Sequence, residues 1–488
     1  MRSISRATQS AFFIALLPAL LVELVPCLNR LTENFPVQVS PLPFERRVVA
    51  SLAALYTFRM FGLFLLLPVL ALYGDHYVGH TSFLLGVALG AYGVSQAFLQ
   101  IPFGILSDRI GRKPVIVAGL LVFVIGSIVA AQATTIYGLI FGRILQGGGA
   151  ISGAIMALLT DLTSEENRTK AMATIGASIG IAFSVAMVVS PLLANWGGVG
   201  LIFWATALLG IVGLLILVFF IPKVQEGKPA KREALPAPEL FWKTFAHPEL
   251  LRLNAGIFAL HLILMANFVV LPLLLEQKLH IARSYHGMVY FPLLALAFAI
   301  MLPFVIVAEK RRKIKTVFLL AIATLALAEP LLIVADGSRV FSLIALFLFF
   351  VAFNILEATL PSMISKIAPA GAKGTATGIY ATSQVIGVAC GGSLGGWLLQ
   401  HHGSSAVFVL NAVVALVWLT VAWSMKPPRF LASVLIPLRH HDARLIAEKL
   451  RAVEGVADVL IVESENTAYL KVDQRLVDRK ALHAIVAE

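Results

Sequence analysis

Twelve mostly apolar runs follow one another after residue 47, at 48–73, 82–107, 114–132, 135–159, 170–194, 200–221, 250–275, 284–308, 314–333, 339–363, 374–400 and 404–425. Each approaches the roughly 20 residues that a helix needs to cross the hydrocarbon of a bilayer. In lipid every backbone N–H and C=O must be satisfied within the protein, which leaves only helices and closed barrels. The runs lack the alternation of barrel strands, so the fold class expected is an all-α membrane protein with twelve transmembrane helices. Composition agrees, because 59% of the 488 residues are hydrophobic and 13% are charged. Soluble domains hold about 45–50% and 25%, and a single soluble core stops growing near roughly 250–300 residues.

The formal net charge of +12 would suit a nucleic-acid partner, but the Lys and Arg residues cluster in loops between the apolar runs. That pattern sets membrane topology and excludes nucleic acid. One set of loops carries Arg109, Arg112 and Lys113; Arg168 and Lys170; Lys223 to Lys243; Lys310 to Lys315; and Lys366 and Lys373. The alternate loops hold little beyond Lys278, Arg283 and Arg339. The rich set is therefore expected on the cytoplasmic side, with both ends of the twelve-helix unit. Cys27 and Cys390 stand far apart in apolar context and make neither a disulfide framework nor a metal motif. No nucleophile–base pair, phosphate loop or metal cluster stands out, so an enzyme is disfavoured and no cofactor or metal is expected.

Residues 222–249 are polar and proline-bearing, and they divide the spans into a first half, 45–221, and a second half, 250–425. A weak repeat supports that division. Glu309 to Lys313 takes the place in the second half that Asp108 to Lys113 takes in the first, and Lys373 to Gly378 echoes Arg168 to Ala173. Two six-helix halves with parallel repeat symmetry are what a rocking carrier requires. Residues 1–44 form an N-terminal extension. Its apolar stretch 11–25 looks like a signal-peptide core but is interrupted by Glu23 and followed by no clean cleavage site. The extension is expected to be dispensable or an over-extended start, the alternative being a helix laid on the membrane. Past residue 425, short strands at 434–438, 456–462 and 467–472 alternate with amphipathic helices at 442–453 and 476–487. That order is ferredoxin-like without its last strand, over residues 434–488. It resembles heavy-metal-associated domains in element order. The first loop, Pro437 to Asp442, has no cysteine, so a regulatory or packing module is expected rather than a metal carrier.

The densest motif is Gly104-Ile105-Leu106-Ser107-Asp108-Arg109-Ile110-Gly111-Arg112-Lys113-Pro114, between the second and third runs. Gly104 and Gly111 suit a sharp turn between closely approaching helices. Asp108 at the membrane boundary needs a partner, either Arg112 or the positive end of a nearby helix. A contact made in only one arrangement of the halves acts as a latch. Asp161, with Glu165 and Glu166 after the fourth run, brings acids to the same face as Arg109 and Arg112. Within that run, Arg143-Ile144-Leu145-Gln146-Gly147-Gly148-Gly149 buries a cation; close helix packing alone is the alternative role for its glycines. Two more embedded charges are Arg59 and Glu357. A carboxylate in a low-dielectric cavity can exchange a proton near neutral pH, so Glu357 is the expected proton site and Arg59 a modulating charge; a structural ion pair is the alternative. Gln96, Gln100, Asn254, His261 and Asn267 are candidate cavity-lining residues, each also suited to a plain inter-helix hydrogen bond.

These motifs resemble the major facilitator superfamily over roughly residues 45–425. Phe58-Arg59-Met60-Phe61-Gly62, the run Ser107 to Pro114, Asn167 to Ala173 and Val351 to Glu357 are similar to bacterial inner-membrane members grouped with drug/proton antiporters, which carry a small cytoplasmic ferredoxin-like domain. The resemblance implies that Asp108 holds the N-terminal end of the eleventh span in the outward-facing state. It also implies that Arg112 and Asp161 form a charge relay, and that Arg143 and Gln146 belong to a motif linked to proton coupling. One departure weakens the antiporter assignment. Where such antiporters carry Gly-Pro late in the fifth span, this chain has Ser190-Pro191. The expected function is proton-coupled efflux of small amphiphilic or hydrophobic compounds by a monomer in a bacterial inner membrane. The alternatives are a proton-coupled importer of a small metabolite and a non-transporting sensor that reads a ligand through residues 434–488.

Overall fold

The structure is a computed structural model that describes residues 43–149, 151–163, 165–222, 238–335, 338–369, 372–428, 432–438, 443–462, 467–473, 476–477 and 482. The extension 1–42, linker residues 223–237 and nearly all of the expected last helix, 476–487, lie outside the described residues, as does the side chain of Asp108. The membrane-spanning part runs α1 (Pro43–Phe64), α2 (Leu70–Tyr73), α3 (Ser82–Ile110), α4 (Arg112–Gln132), α5 (Ile136–Gly148), α6 (Ser152–Leu162), α7 (Glu165–Phe219), α8 (Pro238–Phe245), α9 (Pro248–Leu273), α10 (His286–Lys310), α11 (Ile314–Val334), α12 (Arg339–Ile367), α13 (Lys373–His402) and α14 (Ser404–Trp423). Among the described residues ten helices are long and apolar enough to cross a membrane, against twelve runs in the sequence. The difference has two causes. α7 contains two runs joined through Gly197 and Gly198, both outside helical geometry and the latter at φ +65°. α13 is helical throughout but rich in glycine, threonine and serine, because it packs on protein rather than lipid.

The first run ends as a helix at Phe64, ahead of Pro68, whose missing N–H and ring oppose continuation; turn bonds such as Leu67 N–H to Phe64 O carry the chain on to α2. The fourth run is also broken. α5 stops at Gly148, Gly149 leaves helical geometry at ψ +45°, and α6 starts afresh at Ser152. Large apolar side chains such as Trp196, Leu208, Phe219, Val413 and Trp423 are exposed on the outside of the bundle. So much exposed apolar surface fits a lipid-facing wall.

Glycine sets the closest contacts of the bundle. A Cβ placed on Gly90 of α3 would lie 2.8 Å from Ala389 Cα of α13, and one on Gly93 would lie 2.9 Å from Val385 O. Gly86 and Gly392 face each other's carbonyl oxygens with still less room. Phe83 N–H donates to Gln400 Oε1 at 3.1 Å at the same end. α7 and α10 meet there too, with Gly287 against Val188 O at 2.9 Å. The opposite end is splayed. Gly104, Gly153, Gly176, Gly180 and Gly378 have no described neighbour within 4 Å of a Cβ position. The helices before and after the 223–237 segment are thus closed on one side and open on the side of residues 104–114.

After α14 comes a small α+β unit of β1 (Ala432–Pro437), α15 (Ala443–Arg451), β2 (Val456–Val462) and β3 (Thr467–Val472). β3 lies between β1 and β2 and is antiparallel to both, the split arrangement expected of a ferredoxin-like order. Ile436, Ile446, Leu450, Val459, Ala468, Leu470 and Val472 build its core. β3 is buried on both faces, although an antiparallel sheet of this kind can leave one face to water. On the second face the buried Lys471 donates to Ser365 O of α12 at 3.0 Å, and Asp473 accepts from Arg312 at 3.2 Å. The unit is docked on the open end of the later helices.

Overpacking a tight contact costs about 1–3 kcal/mol. Gly90→Val and Gly392→Val should each lower thermal stability in detergent by at least that order, while Gly104→Val and Gly378→Val should not. Equal melting temperatures in the four variants would contradict the close approach of α3 and α13.

Candidate functional site

The turn between α3 and α4 is made by Gly111, whose φ of +97° and ψ of +151° belong to a region open essentially to glycine alone. Around it Arg112 donates through Nε to Asp161 Oδ2 at 3.2 Å and through Nη1 to Ser107 Oγ at 2.8 Å. Ser107 in turn donates to Gly104 O at 2.7 Å. Lys113 Nζ bonds the carbonyl of Ile221, tying the turn to the end of α7. Arg112 and Asp161 are 19% and 14% exposed, so their pairing is only partly screened by water. Arg109 is exposed. Gly104 differs from expectation, since no described neighbour lies within 4 Å of its Cβ position; its side of the bundle is the open one.

The later helices repeat this device with the charges reversed. Glu309, at the end of α10, accepts from Lys366 Nζ at 2.7 and 2.8 Å and from Ser362 Oγ at 2.6 Å. The turn that follows holds Arg312 at φ +54°, and Arg312 is the residue that pairs with Asp473 of the C-terminal unit. Both turns therefore sit at the open end, and beside each an ion pair reaches a later helix.

Inside the bundle Arg143 is fully buried, with Nε and Nη1 committed to its neighbours and Nη2 without a partner. It donates to Ala88 O at 3.2 Å, Gly62 O at 3.3 Å and Gln146 Oε1 at 2.9 Å, and Gln146 donates to Ser127 Oγ at 2.8 Å. Arg59, also buried, donates through Nη1 to Ser152 Oγ, which Gln96 Nε2 reaches at 3.4 Å. The guanidinium groups of Arg59 and Arg143 lie 5.8 and 4.9 Å from the centre of the Tyr92 ring. Arg59 is thus placed with Gln96, Ser152 and Tyr92, and no ion pair joins it to Glu357 among the described residues.

Glu357 of α12 meets His261 of α9 and Gln384 of α13. Gln384 Nε2 lies 2.8 Å from His261 Nε2 and 3.5 Å from Glu357 Oε1, and His261 Nε2 lies 3.9 Å from Glu357 Oε2. Glu357 Oε2 has no hydrogen-bond partner. An aromatic cluster adjoins these groups. Phe353 stands 6.1 Å from the His261 ring and 6.2 Å from Phe183 of α7, which also contacts Phe64 at 5.2 Å and Phe268 at 6.2 Å. Two titratable groups, bridged by a glutamine, thus sit beside an apolar seam between earlier and later helices.

Asn267 does not line an open cavity. It is fully buried and donates to Glu329 Oε1 of α11 at 2.7 Å, while Asn411 of α14 donates to Glu329 Oε2 at 3.3 Å and to Asn267 Oδ1 at 3.0 Å. Glu329 is a second embedded carboxylate that sequence reasoning missed. Its signal was present, a lone acid inside the apolar run 314–333. Asn254 is buried with Oδ1 unpaired, and Gln100 is half-buried.

The sequence profile of the Major Facilitator Superfamily matches residues 52–389 and 312–453, and that of the YajR YAM domain matches residues 433–488. The chain is 46% identical over 439 residues to the inner membrane transport protein YajR of Escherichia coli (strain K12), covering 90% of this chain and 96% of that protein. It is 36% identical to an uncharacterized transporter, BU466, of Buchnera aphidicola subsp. Acyrthosiphon pisum (strain APS), covering 70% of this chain and 88% of that one. Two solved structures share its fold. The human organic anion transporter MFSD10 aligns at TM-score 0.59 and 21% identity over 78% of this chain and all of that one. The nucleoside transporter NupG (D323A mutant) aligns at 0.63 and 15% identity over 77% of this chain and 99% of that one.

A buried donor left unpaired costs about 1–3 kcal/mol. Glu329→Leu strips acceptors from Asn267 and Asn411 and should lower stability by that order for each, whereas Glu329→Gln, which keeps one acceptor oxygen, should lose much less. Thermal unfolding in detergent separates them; equal losses would contradict the network.

Proposed function

The chain belongs to the major facilitator superfamily, and from that premise we propose that it is a proton-coupled exporter of small amphiphilic or hydrophobic compounds, working by alternating access. Its family and relatives are transporters rather than enzymes. The halves that rock are residues 45–221 and 250–425, joined by the linker 222–249, and residues 434–488 are a regulatory or packing module on the second half. One observation carries the proposal. The bundle is sealed by backbone contact at Gly86, Gly90 and Gly392 and splayed at Gly104 and Gly378, as one of the two end states of a rocking carrier must be. The splayed end bears the loops rich in Lys and Arg, so by the positive-inside rule it is cytoplasmic and the state is inward-open.

Glu357 is the proton site. It combines an embedded carboxylate, an unpaired oxygen and the neighbours His261 and Gln384, beside the apolar seam where an amphiphilic body would lie. Arg143 and Gln146 hold the first half rigid around it. The loop Gly104–Lys113 is the latch of the other state. Asp108 meets the N-terminal end of α13 when the halves close, and Arg112–Asp161, with Arg109 nearby, orients the turn for that contact. Glu309–Lys366 is the same strut in the second half. Import of a metabolite is a second possibility, favoured by Ser190, whose hydroxyl donates to Leu65 O where drug antiporters carry glycine. Counterflow in oriented vesicles separates import from export.

Glu357→Gln should abolish proton-driven transport in proteoliposomes and flatten its pH dependence, with folding preserved; an unchanged rate would sink the proton assignment. Asp108→Asn should enrich the inward-open state, raising maleimide labelling of a cysteine at position 378 severalfold. Equal labelling with and without the substitution would remove the latch.

A further inference from the structure

The break in the fourth span places a helix N-terminus inside the bundle. α6 begins at Ser152, its N-cap Ile151 makes no side-chain cap bond, and its first acceptor pairing is Ile155 N–H to Ile151 O. The first turn of a helix leaves N–H groups without intrahelical acceptors and carries the positive end of the helix dipole. Such an interrupted helix is well suited to an anion. The N-terminus alone would not make a site, but a second group is aimed at it.

Arg59 is 1% exposed and donates to Ser152 Oγ through Nη1 only. Its Nε and Nη2 have no partner. Those two nitrogens form one edge of the guanidinium, the edge that grips a planar carboxylate through two parallel hydrogen bonds. Arg143 differs, because its Nε and Nη1 are held by backbone carbonyls and Gln146 and only its Nη2 is unpartnered. Yet Arg143 adds a second positive charge on the same Tyr92 ring. Between residues 43 and 222 the only acids are Glu45, Asp75, Asp108, Asp161, Glu165 and Glu166, all at the ends of the spans. Two buried cations therefore stand with no carboxylate among the described residues to offset them, an arrangement that is expensive unless an anion arrives. Gly153, one residue into α6, has no described neighbour within 4 Å of its Cβ position, so the turn borders open space.

We propose that this break is the binding site for a carboxylate on the transported compound, held by the Nε–Nη2 edge of Arg59 and the first-turn N–H groups of α6. Gln96 and Ser152 position the guanidinium. The cargo is then an amphiphilic organic acid, with its charge on the first half and its apolar body toward Phe183 and Phe353. The assignment rests on the carrier function proposed above and narrows it to organic anions.

The test is binding to the full-length protein in nanodiscs without a gradient, so a failure of proton coupling and a failure of this site show up separately. Benzoate, phenylacetate and hexanoate are titrated by thermal shift and calorimetry against benzamide and against sodium chloride at equal ionic strength. At least one carboxylate should stabilise the protein saturably, and benzamide should not. Arg59→Lys keeps a charge but loses the two-pronged edge, and should weaken binding at least tenfold; Arg59→Gln should abolish it. The Lys variant decides the matter if the Gln variant does not fold. No saturable effect from any of the three acids, an equal effect from benzamide, or undiminished binding in Arg59→Lys would overturn the site. Saturation by chloride alone would overturn its assignment to an organic acid.

Discussion

One contact sets the shape of the bundle, the backbone-to-backbone approach of α3 and α13 at Gly86, Gly90 and Gly392. Without side chains between them, the two helices meet over only part of their length and diverge toward Gly104 and Gly378. That divergence leaves unfilled space beside Gly104 and Gly378. A small-residue contact also suits repeated making and breaking, since it carries little interlocking side-chain packing to undo.

The buried charges are distributed unevenly across this seam. The first half holds Arg59 and Arg143 around Tyr92, and the second holds Glu329 and Glu357. Among the described residues no ion pair joins the two sets. In the proposed cycle a proton answers Glu357 on the acidic side and the organic anion answers the basic side. Glu329 stands apart because Asn267 and Asn411 satisfy it, whereas Glu357 Oε2 has no hydrogen-bond partner.

Much of this was legible in the sequence, because a bilayer imposes run length and charge placement that a reader can count. The spans, the Gly111 turn, the Arg112–Asp161 pair and the short strands of the C-terminal unit all follow from such patterns, whereas the meeting of Glu357 with His261 does not. What was not legible depends on partners distant in sequence. Glu309–Lys366 reverses the sign of the pair it mirrors, so motif matching passes over it. Asn267 reads as a cavity residue until α11 and α14 are placed beside it. Lys471 looks like a solvent lysine on a strand, and only docking on Ser365 explains its burial. The break at Gly149 looked like a packing stripe of glycines, because the same residues serve close approach and helix interruption equally well.

Alternating access requires that the two ends of the bundle open and close in opposition. Double electron–electron resonance on the reconstituted protein tests it most directly, with one spin-label pair across positions 83 and 400 and a second across the end marked by 105 and 379. Acidifying the outer side should lengthen the first distance while the second shortens, with both populations present in a single sample. Distances that change together, or a first pair that stays short under every gradient, would contradict it.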